Sequence, residues 1–83
     1  MNPIGRGTVP FYTDAVAVVP SDVADIPPTL ALHIGTAGDV TVDMVGVGTN
    51  ITLAGMPQGI QNLAVTRVYA TGTTAADLVA LRA

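Results

Sequence analysis

Hydrophobic and polar residues alternate with a period of two over several short runs, each ending at a cluster of Gly, Pro, Ser, Thr or Asp. That alternation marks half-buried strands, and the clusters between them carry turn chemistry. AVAVV, Ala15 to Val19, predicts a first strand with Val16 and Val18 on one face. PSDVADIPPT, Pro20 to Thr29, predicts a connection in which Ser21 or Asp22 caps a single turn and Pro27-Pro28 enforces extended geometry. LALHI predicts a strand with Leu30, Leu32 and Ile34 inward and Ala31 and His33 outward. DVTVDMV, Asp39 to Val45, sends Val40, Val42 and Met44 to one face and Asp39, Thr41 and Asp43 to the other.

A slip of one residue would turn every side chain to the wrong face, so the pattern restricts register. Setting Val42 opposite Leu53 and Met44 opposite Ile51 leaves Val47-Gly48 at a hairpin tip. By the same rule Leu32 is expected opposite Val42 and Leu30 opposite Met44, with GTAGD, Gly35 to Asp39, as the loop. MPQGIQN, Met56 to Asn62, is a turn-rich connection. LAVTRVYA, Leu63 to Ala70, is the longest strand candidate, with Leu63, Val65, Arg67 and Tyr69 on one face and Ala64, Thr66, Val68 and Ala70 on the other. For the tail, Asp77 to Leu81, the β-branched context favours a strand, while Thr74 followed by Asp77 resembles a capping box and leaves a helix open. Together these elements predict an all-β fold, a small antiparallel β-sandwich or barrel of about six strands. Residues 1–14, with two Pro and two Gly and no period, form an extended N-terminal arm, and residues 15–83 a single β-domain.

Composition turns this domain into an associating one. Of 83 residues 49% are hydrophobic and 11% charged, against about 25% charged in an ordinary soluble domain. A chain this small buries only about 60% of its unfolded surface. It has no Cys for disulfides and a single His, His33, so self-association is the expected supplement. A strand apolar on both faces and bearing one arginine suits a subunit boundary. Val65, Arg67 and Tyr69 are the candidate interface residues, with Arg67 expected to meet Asp39, Asp43 or Asp77, or else to lie along its own sheet. In the arm, Phe11 and Tyr12 are candidates either to contact a partner or to cover the edge of the domain.

The net charge of −3, with Arg6, Arg67 and Arg82 the only cations, offers no basic patch for nucleic acid. The longest apolar run falls far short of the roughly 20 residues of a membrane helix. Ser21 is the only serine and sits in a turn where capping accounts for it, so no Ser-His-Asp triad is expected. Zinc is disfavoured with one His. Asp39 and Asp43 lie on one strand face but roughly 13 Å apart by strand rise, too far for an acid/base dyad. GTAGD and GVGTN lack the phosphate-loop pattern. No enzyme activity, metal or cofactor is expected.

Three ordered motifs carry a family resemblance: PSDVADIP from Pro20 to Pro27, ALHIGTAGD from Ala31 to Asp39, and VTRVYATGTTA from Val65 to Ala75. In these the chain resembles the spike base proteins of tailed-phage heads and gene transfer agents, over roughly residues 15 to 81. The arm and the VGVGTN turn, Val45 to Asn50, depart from that pattern. The resemblance implies a non-catalytic, cofactor-free structural protein of the particle, made in the bacterial cytoplasm and placed on the capsid exterior. Its implied partners are copies of itself, as a homopentamer at five-fold vertices, the major capsid protein, and a spike or fibre protein. Two other classes fit the residues: a trimeric capsid cement protein, and a small β-module for sugar or peptide, which the 4% aromatic content disfavours.

Overall fold

The computed structural model describes residues 12–83. Seven strands form two antiparallel sheets, and there is no helix among the described residues. In chain order they are β1 (Asp14–Ala17), β2 (Ala31–Ile34), β3 (Gly38–Met44), β4 (Ile51–Met56), β5 (Gly59–Gln61), β6 (Val65–Val68) and β7 (Val79–Arg82). One sheet has the order β1-β7-β2-β5 and the other β4-β3-β6. The fold is all-β and antiparallel as expected, with two separate sheets rather than one closed barrel and one strand more than expected. The extra strand is β5, inside the segment expected to be a plain connection. The tail is a strand, β7, and Asp14 already belongs to β1.

Leu32, Ile34, Val40, Val42 and Val65 are fully buried and, with Val68 and Leu78, form the core between the sheets. The expected pairing of Leu32 with Val42 does not occur. β2 pairs with β5 and β7, β3 pairs with β4 and β6, and Leu32 and Ile34 of β2 share one core cluster with Val40 and Val42 of β3. The link Gly35–Ala37 carries the chain from one sheet to the other instead of turning a hairpin. It is fixed by the Thr36 to Ala76 bridge and the hydrogen bond from Gly35 N to Asp77 O, 3.2 Å. At Gly35 an added Cβ would lie 2.5 Å from Asp77 Cβ, so only glycine fits this crossing.

The β3–β4 hairpin exists, but Val42 pairs with Ile51 and Val40 with Leu53, two residues from the expected register. A two-residue slip keeps every side chain on its face. The observed register is held by the Asp43 carboxylate, which accepts from Asn50 N at 2.8 Å across the turn. Asn50 there has φ 53°, a conformation asparagine tolerates. Further along, β4 holds an extra residue around Ala54-Gly55, with Gly55 at φ 65° and its N–H bonded to Asp39 Oδ1 at 2.9 Å.

Leu30 is half exposed, whereas Ala31, expected outward, is buried. Thr41, also expected outward, is buried: its N–H donates to Thr73 Oγ1 at 3.0 Å and its hydroxyl pairs with that of Thr52 at 2.9 Å.

Candidate functional site

The connection after β1 lies along the free edge of β6. Val18 N still bonds to Leu78 O in the first sheet. Three residues on, Ser21 N bonds to Val68 O in the second, followed by Ile26 N to Thr66 O and Thr29 N to Val65 O. Pro20, Pro27 and Pro28 keep the segment extended, and having no N–H they leave no donor unpaired. Ser21 caps the turn as expected, its Oγ accepting from Val23 N and Ala24 N at 3.2 Å.

Side chains fasten the same segment. Asp22 takes the N–H of Thr71 at 2.9 Å on one carboxylate oxygen and its hydroxyl at 2.6 Å on the other. Arg67 Nε donates to Asp25 Oδ1 at 2.8 Å and Nη1 to the Asp22 carbonyl at 3.2 Å. The Asp43 carboxylate accepts the Tyr69 hydroxyl at 2.8 Å and approaches Arg67 Nε at 4.0 Å, while the guanidinium lies 5.6 Å from the Tyr69 ring centroid. At its far end Thr29, fully enclosed, donates its hydroxyl to Leu63 O at 2.7 Å and accepts from Val65 N at 3.1 Å.

These bonds set the protonation states. The Thr71 hydroxyl, then its N–H, holds the Asp22 carboxyl below its ordinary range. Asn50 N, then the Tyr69 hydroxyl, does the same for Asp43. The bond to Asp25 raises Arg67 against a partial cost of burial, and the bond to Asp43 raises Tyr69. Each carboxylate is held as an acceptor and the arginine as a donor, an arrangement suited to fastening rather than to proton transfer.

The expected interface residues are thus divided. Val65 is turned into the chain's own core, because a bulge at Thr66 brings Val65 and Val68 to the same face. Arg67 and Tyr69 meet in the network described. Among the expected partners of Arg67, Asp43 is at its margin, while Asp39 binds Gly55 N and Asp77 stands at φ 56° in the turn before β7. The principal partner is Asp25, which the alternation did not single out for this role. Tyr12 reaches the end of β5 within its own chain, its hydroxyl donating to Asn62 Oδ1 at 2.9 Å. Phe11 lies outside the described residues. No pocket opens and no cluster of three metal-ligating side chains occurs among the described residues.

The folded unit is therefore a small antiparallel sandwich whose most elaborate feature is a pinned surface segment. No family model and no curated protein matches the chain. Among solved structures, it is similar to a chain described as "Capsid of native GTA particle computed with C5 symmetry", with a TM-score of 0.76 and 26% identity over 99% of this chain and 100% of that one. The likeness supports a protein related to the capsids of gene transfer agents and phages.

Proposed function

We propose that this chain is a structural protein of a phage or gene transfer agent particle. It serves as a head spike base: copies of it assemble on the capsid exterior at the five-fold vertices and anchor a spike or fibre protein. The observation that carries this reading is the full-length likeness to a chain of a GTA capsid. The three sequence motifs that resemble spike base proteins fall on structural devices here: the segment pinned to β6, the crossing between sheets, and β6 with the turn after it. The chain works by geometry and contact, without catalysis or cofactor.

The part of the arm before Tyr12, with Phe11, is assigned to the contact with the major capsid protein, since Tyr12 is bonded to Asn62 of its own chain. The platform reading is tested by isolating particles that carry an epitope-tagged chain and counting copies per vertex. Five per vertex, lost together with the spike when the gene is removed, is the expected result. Three copies between hexamers would establish a cement protein instead, and absence from particles would refute both.

A further inference from the structure

We propose that the pole of the sandwich where the β3–β4 hairpin turns is the surface that seats on the particle shell, with Val47 entering an apolar, uncharged hollow of the major capsid protein. The inference rests on the platform role read above and fixes which way up the chain stands.

Strand directions define the two poles. β2 runs toward Gly35–Ala37, where the chain crosses to the start of β3, and the same end holds Pro57-Gln58 between β4 and β5 and the turns from Thr71 to Leu78. The other end gathers the hairpin turn 45–50, the link 62–64 and the residues entering β2. There Val45 N bonds to Ala64 O at 3.0 Å and Thr29 N to Val65 O at 3.2 Å.

This second pole is apolar. Leu30, Val45 and Ile51 are 50%, 52% and 42% exposed and Val47 is 101% exposed, half of the eight large hydrophobic side chains exposed among the described residues. A single exposed valine calls for no partner, whereas several gathered at one end do. The other four form no second group of this kind: Val16 and Ile60 lie on the opposite edge strands of one sheet, and Val19 and Val23 flank Ser21 and Asp22.

The turn that carries Val47 is held in place. Met44 N bonds to Gly48 O at 2.7 Å, and the Asp43 carboxylate accepts from Asn50 N at 2.8 Å. An added Cβ at Gly48 would lie 3.1 Å from Met44 Cγ and 3.4 Å from Ile51 Cγ1, so the turn packs on these two side chains. A projection already fixed in shape loses little freedom on binding.

Charge separates the poles. At the apolar one, Asp43 is occupied by Asn50 N and the Tyr69 hydroxyl, and Asp14 stands opposite Arg82 in the β1–β7 register. The opposite pole carries Asp39 and Asp77 together with exposed Thr36, Thr71 and Thr74. An uncharged hollow covers the first without stranding a free carboxylate, whereas over the second it would strip water from carboxylates and hydroxyls.

The place where the described chain begins selects the occupant. Tyr12 is tied to Asn62 at the apolar pole, so the residues before it, assigned above to the capsid contact, start from that pole. Arm and pole then reach one partner as a continuous contact, and the hydroxyl-rich pole is left to the spike or fibre protein.

The test mixes the full-length protein with particles assembled without it and measures the amount that sediments with them. Val47→Arg and Val45→Arg place a charge on the apolar pole, and Thr36→Arg and Gln58→Arg place one on the other; all four positions are exposed, and circular dichroism checks each fold. Val47→Arg should weaken attachment about 30-fold or more, the scale of a lost hot spot. Val45→Arg should act in the same direction, and Thr36→Arg and Gln58→Arg should attach like wild type. Attachment of both valine variants at the wild-type level, or an equal loss in the opposite-pole variants, would overturn the inference and leave the platform reading intact. Loss by Thr36→Arg and Gln58→Arg alone would turn the chain over and give the apolar pole to the spike. A wild type that does not attach would remove the platform reading and the inference with it.

Discussion

Arg67 and Asp25 are 42 residues apart in sequence, and the guanidinium Nε lies 2.8 Å from the carboxylate Oδ1. This contact joins β6 to a segment that has no strand of its own yet occupies a strand's place. With the Asp25 side chain 67% exposed, the pair contributes little to global stability. Its effect here is local, fastening the Pro20–Thr29 segment to β6 at Asp22 and Asp25.

Arg67→Ala is expected to loosen that segment while leaving the sandwich folded. Amide hydrogen exchange at Ser21 and Ile26, which bond to Val68 and Thr66, should quicken, while Val40 and Val42 stay protected. Unchanged exchange at Ser21 and Ile26 would show that the main-chain bonds suffice without the arginine.

Thr29 performs a different task, since its one hydroxyl serves both Leu63 O and Val65 N in a dry environment. Replacing it with valine keeps the shape and leaves both groups unpaired, so Thr29→Val should destabilise the domain by about 1–3 kcal/mol. Denaturant titration measures this, and an unchanged midpoint would contradict the assignment.

The crossing at Gly35 predicts that Gly35→Ala is costly, because the new methyl meets Asp77 side-chain and backbone atoms at 2.5 and 2.8 Å. Overpacking of this kind costs roughly 1–3 kcal/mol. A thermal melt as high as that of wild type would show that the two turns can separate freely.

Acid should release the pinned segment. Asp22 and Asp43 have folded-state pKa values below the ordinary 3.8, so the unfolded chain binds protons more readily. The stability they contribute is present in full above that value and is lost as pH falls through the lower folded-state values. The amide of Thr71, bonded to Asp22, should lose protection only as pH falls below the ordinary carboxylate value of 3.8. Asp22→Asn should remove that pH dependence at Thr71; a dependence that survives the substitution would place its origin elsewhere.

Strand faces were legible in the chain to the extent that alternation held. Val40 and Val42 are inward, Ser21 caps its turn, and the tail is a strand. Alternation assigns faces but not neighbours. A short Gly-containing link between two alternating runs reads as a hairpin, and only the close approach of Gly35 to Asp77 shows that it crosses between sheets. Alternation puts Val65 on the same face as Arg67, because a bulge adds a residue without any signature in the pattern. Thr29 and Thr41 were unreadable as core residues, since the partners that make their burial tolerable are brought in by the tertiary fold. Asp25 as the partner of Arg67 depends in the same way on the path of the connection, which the prolines suggest is extended but do not place against β6.

Association with copies of itself is the claim on which the particle role depends, and native mass spectrometry of the full-length protein over a dilution series tests it most directly. The account predicts a five-subunit mass that gives way to monomer only at high dilution. A monomer at every concentration, or a mass fixed at two or three subunits, would contradict it.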